Sequence, residues 1–351
     1  MSAWIVGHSL YTTIRRNATL APSQDCEEVA SSIAPCYPDY EMLQSRRAAN
    51  ASRATSTTGL RYDRLPTEQR HPSSHDLDRL SSLTLLRLMN QEDARVLLAV
   101  KRQLPQISRA IQLTTRSLRH GGRLFFVGAG TSGRLGVIEA AECPPTFHTP
   151  PSMVQAIIAG GRSAVFRSRE GAEDRRAEAV RIIRRRVRAG DVVVGITASG
   201  VTPFVDAALK TAVRRKVRTI LVTCHPRSTI PASVRIALDT GPELLTGSTR
   251  LKAGTATKLV LNMLTLGAMV QLGKTYGNLM VDVRPTSNKL RARALRIVRS
   301  LTGCSEVSAA RWLNAARGRV KVAVVMARAH LTAAAAQQRL AQANGSLRQA
   351  L

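Results

Sequence analysis

Short apolar runs alternate with amphipathic segments through the middle of the chain, and this alternation restricts the fold more than any other feature. Candidate strands lie at 124–127, 154–158, 192–196 and 219–223, with a weaker one at 234–238. Helical spacing of apolar residues fills the gaps, most clearly at 173–188 and 203–215. Runs of Val, Ile, Leu and Phe without polar alternation suit strands covered on both faces. The pattern predicts an α/β fold, a doubly wound parallel sheet of the flavodoxin-like kind. In such sheets a ligand sits beyond the carboxyl ends of the strands, near the switch point.

The flanks are helical. Apolar spacing predicts helices at 82–90 and 92–119, the second closed by Gly121 and Gly122, and a long, mostly apolar helix at 252–272. Helices at 305–316, 320–329 and 332–343 form a small C-terminal unit. Residues 1–62, rich in Ser, Thr, Ala, Arg and Pro, have no periodicity and read as a disordered N-terminal extension, with Met42 a possible true start. The expected organisation is therefore 1–62, a helical segment at 63–113, the sheet-bearing domain at 114–277, a linker at 278–298 that reaches the active site, and a helical domain at 299–351.

Of the 351 residues, 44% are apolar, and no run of about 18 uncharged apolar residues stands out, so a soluble protein is expected. Five scattered cysteines without metal-ligand spacing suit reduced thiols in the cytoplasm. The formal charge of +29 raises nucleic acid as a partner. The arginines, however, are spread over many helices, and residues 1–62 carry no helix-turn-helix, so neither nucleic acid nor membrane is expected. The surplus charge favours anionic small substrates.

Residues Leu124 to Pro145 read as strand, glycine-rich turn and helix, with the pair Pro144–Pro145 predicted to end that helix near Glu142. Such a turn offers backbone N–H groups to an anion, and Thr131 and Ser132 add two hydroxyls. Gly128-Ala129-Gly130-Thr131-Ser132-Gly133 also fits the dinucleotide pattern. That fingerprint needs an acidic residue at the end of the second strand, where this chain has Ala159-Gly160-Gly161-Arg162. A second hydroxyl-bearing turn, Thr197-Ala198-Ser199-Gly200-Val201-Thr202-Pro203, follows the third strand. Two such turns on one sheet point to a phosphate monoester held by neutral donors.

Gly-Ala-Gly-Thr-Ser-Gly-Arg-Leu-Gly at 128–136, Ala-Glu-Cys-Pro-Pro-Thr-Phe at 141–147, Glu-Gly-Ala-Glu-Asp at 170–174, Thr-Gly-Ser-Thr-Arg-Leu-Lys-Ala-Gly-Thr-Ala at 246–256 and Tyr-Gly-Asn-Leu-Met-Val-Asp-Val at 276–283 together resemble the N-acetylmuramic acid 6-phosphate etherases. That family is built on the sugar isomerase (SIS) domain, which here would occupy 114–277. The resemblance runs from about Leu65 to the C-terminus. It implies a homodimer that cleaves the D-lactyl ether of its phosphosugar substrate by elimination and then hydration, with no metal or redox cofactor. It also implies Glu142 as the acid and Glu173 as the base, with Thr131, Ser132, Ser199, Thr202 and Lys289 on the substrate, and Thr249 and Lys252 near the site. Glu142 at the negative end of its helix suits an acid, and Glu173 opening the helix at 173–188 suits a base.

Three positions depart from the family pattern: Val201 in place of Arg, His225 and Arg227 within the usual Cys-Asn-Pro-Gly, and Ser287 in place of Asn. The alternative is a non-catalytic phosphosugar-binding regulator like the related glucokinase regulatory protein. Retention of both Glu142 and Glu173 favours the enzyme.

Overall fold

The computed structural model describes residues 62–351; the expected extension at 1–62 and the possible start at Met42 lie, but for residue 62, outside the described residues. Two short 3-10 turns, Tyr62–Arg64 and Pro66–Glu68, open the described chain, and a third follows at Leu77–Arg79. Helices α1 (Ser82–Arg102) and α2 (Leu104–Arg119) come next. The expected break near residue 91 is absent, and the chain divides at Gln103 instead. Pro105 causes this, because it sits in the first turn of α2, where its missing N–H costs nothing.

The sheet contains β1 (Leu124–Gly128), β2 (Val154–Ile158), β3 (Val192–Thr197), β4 (Arg218–Thr223) and β5 (Val234–Ala237), in the order β2-β1-β3-β4-β5. Every pairing is parallel, as the apolar runs predict. Successive side chains point to opposite faces, so each strand feeds two cores. Phe126, Val194, Ile196 and Val222 enter the core beneath α1, α2, α3 (Gly130–Phe147) and α7 (Lys252–Gln271). Phe125, Val127, Val193 and Leu221 enter the core beneath α5 (Arg176–Arg186) and α6 (Pro203–Arg214). A four-residue helix, α4 (Ser163–Phe166), lies between β2 and α5.

Helix α3 runs through Pro144 and Pro145 to Phe147, which corrects the expected stop near Glu142. The prolines remove two hydrogen bonds, but Cys143 and Phe147 are buried in the core on either side of them. His148 then closes the helix in a left-handed conformation, its N–H donating to the Pro144 carbonyl. Tertiary burial outweighs the local penalty.

Helix α7 is, among the described residues, long and apolar enough to cross a membrane by length and composition. It serves instead as a core helix, with Val260, Leu261, Leu264 and Ala268 fully buried against α1, α2 and α3. C-terminal helices α8 (Asn288–Thr302), α9 (Glu306–Ala315), α10 (Val320–Ala329), α11 (Ala333–Gln342) and α12 (Leu347–Ala350) share a third core. Helix α8 crosses position 298, and its buried Ile297 and Val298 belong to that third core.

Close approach of α3 to the sheet depends on glycine. A Cβ on Gly136 would lie 2.8 Å from the Phe126 Cβ. Gly136→Ala is expected to lower stability by about 1–3 kcal/mol through overpacking. Urea denaturation of this variant against Ala141→Gly, on the exposed side of the same helix, checks it; equal small losses would show that the helix moves freely.

Candidate functional site

The strand order reverses between β1 and β3, whose register places Gly128 beside Ile196. The turns leaving these two strands therefore lie side by side at the carboxyl edge of the sheet. They line a cleft of about 300 Å³ that takes in Thr131, Ser132, Ser199, Thr202 and Glu173. Five of the seven residues expected at the site thus meet in one place.

The cleft is suited to an anion. Helix α3 begins there with no side chain capping its N-terminus, so its first N–H groups remain free for a ligand. Gly130 makes the entry turn at φ +53°, a left-handed conformation that a β-carbon disfavours. In the second turn the buried Thr197 organises the hydroxyls. Its Oγ1 is 2.7 Å from the Thr202 Oγ1 and 3.3 Å from the Ser199 Oγ, and it accepts the Gly200 N–H at 3.2 Å. Arg134 and Arg169 add positive charge to the lining, and the Arg134 Nε donates to the Val165 carbonyl.

Glu173 sits in the loop before α5, not within that helix as expected, because α5 starts three residues later at Arg176. Its position is fixed by its own carbonyl, which accepts the Phe204 N–H at 2.8 Å from the first turn of α6. Glu170 also lines the cleft, tied to Ser168 at 2.6 Å, whereas Asp174 does not.

Glu142 and Lys289 lie elsewhere. Glu142 is exposed, ten residues along α3 from Ser132, a displacement of about 15 Å at 1.5 Å per residue. Lys289 is exposed in the first turn of α8 and does not line the cleft. Ser287 is the N-cap of that helix, its hydroxyl accepting the Leu290 N–H at 3.3 Å, which gives this departure from the family pattern a structural role. His225 lies against the Gly200 turn, where burial, reinforced by Arg227, lowers its pKa.

Thr249 lines the cleft, but Lys252 does not. Lys252 is buried, and its Nζ donates to Glu92 at 2.6 Å. Burial raises the Glu92 pKa, but hydrogen bonds and charge from Lys252 and His71 outweigh it and hold the carboxyl below its usual range. Glu243 accepts the N–H groups of Lys252 and Ala253 at 3.1 and 2.9 Å, anchoring the start of α7. Sequence reasoning missed three further groups. Thr67 and Glu68 line the cleft from the 3-10 turn Pro66–Glu68, in a stretch with no periodicity to draw notice. Glu139, buried in mid-α3, takes hydrogen bonds from Thr265 and, at 2.9 Å, from Asn262, pinning α3 to α7.

A parallel sheet with a hydroxyl-lined cleft at its switch point defines a SIS-domain protein. The family model described as the SIS domain matches residues 177–267, and that of the glucokinase regulatory protein N-terminal SIS domain matches 106–213. Proteins named N-acetylmuramic acid 6-phosphate etherase match far more of the chain. The one from Picosynechococcus sp. is 51% identical over 290 residues, covering 82% of this chain and 96% of its own. That from Symbiobacterium thermophilum is 53% identical over 268 residues, covering 76% and 89%. This chain belongs to the N-acetylmuramic acid 6-phosphate etherase family. Among solved structures, a phosphoheptose isomerase from Francisella tularensis aligns with 54% of this chain and all of its own, at 16% identity and a TM-score of 0.44.

Lys252→Met is expected to cost about 3–5 kcal/mol, because it removes the closest and most buried cation from the Glu92 carboxylate and leaves only His71 and the largely exposed Arg95, 3.2 Å away, beside it, whereas Lys289→Met stays within about 0.5 kcal/mol. The sign for Glu92 follows from its lowered pKa. Its stabilising effect is full above the ordinary carboxyl range and is lost as pH falls through the folded value. Thermal melts of wild type and Lys252→Met should therefore converge in acid; a constant gap down to pH about 3 would contradict this account.

Proposed function

We propose that this protein cleaves the D-lactyl ether of N-acetylmuramic acid 6-phosphate with water, giving N-acetylglucosamine 6-phosphate and D-lactate, in cytoplasmic recycling of cell-wall amino sugars. The observation that carries the reading is the joining of a phosphate cradle to Glu173 in one cleft, in a chain half identical to proteins of that name.

In this mechanism Thr131, Ser132, Ser199, Thr202 and the N-terminus of α3 hold the 6-phosphate. Glu173 removes the proton at C2 of the open-chain sugar, which the C1 aldehyde acidifies. The C3–O bond breaks as Glu142 gives its proton to the departing lactate oxygen. Water then adds at C3 of the unsaturated aldehyde, with Glu142 taking its proton and Glu173 returning one to C2. The net reaction consumes one water and leaves both carboxyl groups as they began.

The separation of Glu142 from the cleft supports a homodimer with shared sites. A two-fold axis crossing α3 near its middle would lay Glu142 of one subunit over Ser132 of the other, since isologous contacts are reciprocal. Ile138, next to that midpoint, is 46% exposed, and Leu266 and Val270 stand exposed on the neighbouring α7. Such an apolar face suits a second copy. Lys289 would reach the phosphate in the same assembled site. A non-catalytic phosphosugar-binding regulator is the second reading, favoured by the match to the regulatory-protein domain.

Enzymatic measurement of D-lactate decides between the two. Wild type should release lactate from N-acetylmuramic acid 6-phosphate. Glu142→Gln and Glu173→Gln should each lose about 10²–10⁴-fold, the usual worth of general acid or base catalysis. Mixing the two inactive variants should restore about a quarter of wild-type activity, because half the dimers then carry one intact site. Tight sugar-phosphate binding without lactate release would favour the regulator, and no recovery on mixing would place both carboxylates in one subunit.

A further inference from the structure

The strap formed by residues 62–80 is held to the body of the protein by an unusually costly device. His71, Glu92 and Lys252 are all nearly fully buried, and their side chains converge on one carboxylate oxygen. Lys252 Nζ lies 2.6 Å and His71 Nε2 3.0 Å from the Glu92 Oε2. The His71 Nδ1 accepts the Ser73 N–H at 3.2 Å, which turns Nε2 toward the Glu92 carboxylate. A buried ion pair of this kind is often no more stabilising than apolar residues of similar size, but it fixes relative position sharply. Here it fixes the strap against α1 and α7.

The consequence of that fixing appears at the cleft. Within the strap, Thr67 and Glu68 are the residues that line it. Gly247 N–H donates to the Thr67 carbonyl at 3.1 Å, and Ser74 Oγ to the Leu244 carbonyl at 2.7 Å, so the strap is stitched to the cleft wall on both sides of His71. Thr67 is buried, and its hydroxyl donates to the Glu68 Oε1 at 3.0 Å, orienting a carboxylate that is itself exposed to the cleft. Gly247, at φ +77°, brings its backbone close beneath; a Cβ there would stand 3.2 Å from the Glu68 Oε2.

A carboxylate repels phosphate, and the cleft already has neutral donors for that group. What Glu68 can take is the hydroxyl-bearing part of the ligand, through charge-assisted O–H···O⁻ bonds stronger than neutral ones. We infer that Glu68 is a substrate-recognition residue that accepts hydrogen bonds from sugar hydroxyls, and that His71 is a positioning residue holding it there. This rests on the phosphosugar reading of the cleft, not on its turnover.

Titration calorimetry with N-acetylglucosamine 6-phosphate and, separately, inorganic phosphate tests it. Glu68→Ala should weaken sugar-phosphate binding by about 10–100-fold, the range for a hydrogen bond to a charged group, and leave inorganic phosphate unchanged or tighter. His71→Ala should show the same selective loss, and His71→Gln, whose amide N–H reaches where the imidazole Nε2–H does, should restore it. Unchanged sugar-phosphate affinity in Glu68→Ala, or parallel loss of both ligands, would overturn the assignment of Glu68. Parallel loss in His71→Ala with no rescue would reduce His71 to a structural residue. If wild type binds no sugar phosphate at all, the phosphosugar reading itself fails; if it binds without releasing lactate, only the enzymatic reading fails.

Discussion

Contact between α3 and the sheet is the constraint on which the site depends. Three glycines allow it: a Cβ on Gly128 would meet Gly133 N at 2.7 Å, one on Gly133 would meet Ile158 at 2.6 Å, and one on Gly136 would meet Phe126 at 2.8 Å. Without Cβ atoms at these positions the helix axis can drop onto β1 and β2, and its first turn can face the turn leaving β3. The hydroxyl-lined cleft is thus a product of packing as much as of its hydroxyls. Glu139 extends the same logic sideways, since its buried carboxylate ties the middle of α3 to Asn262 and Thr265 of α7.

Charge in this molecule serves two separate purposes. Buried and partly buried pairs set position: Arg123 with Asp191 at 2.8 Å, Lys321 with Asp282 at 2.8 Å, and the Lys252–Glu92–His71 cluster each join segments far apart in sequence. Exposed arginines on α5 and around the cleft leave a surplus that attracts anions. The cleft itself mixes Arg134 and Arg169 with Glu68, Glu170 and Glu173. Its lining therefore offers positive charge to an anion and carboxylates to hydroxyl groups.

Much of the fold was legible because buried parallel strands write themselves as apolar runs. Observed strand ends lie within one residue of those expected at 124, 154, 192, 219 and 234. Errors came where tertiary contacts override local signals. Pro144 and Pro145 predicted a stop, but the burial of Cys143 and Phe147 carries α3 past them. Pro105, read as interior to a long helix, begins one. Helix α5 starts after Glu173, not at it, so the helix-dipole argument for that residue gives way to the Phe204 hydrogen bond. At the site, the two hydroxyl turns were readable because strand and turn are local. Glu68 was not, since its place in the cleft is set by His71 and Lys252 through contacts that no sequence spacing reveals. Glu142 and Lys289 stood out by motif alone, and the structure leaves both away from the cleft.

The position of α7 in the chain has a consequence for biosynthesis. This helix covers one face of a sheet whose last strand ends at Ala237, yet it begins only at Lys252. Until residues up to Gln271 leave the ribosome, Phe126, Ile196 and Val222 have no α7 to shield them, while α1 and α2 wait without their main partner. Growing chains therefore carry a sticky, half-built core through a defined window of translation, when premature association with other chains is most hazardous. Release from that hazard comes with a single apolar helix, whose arrival converts an open sheet into a closed domain.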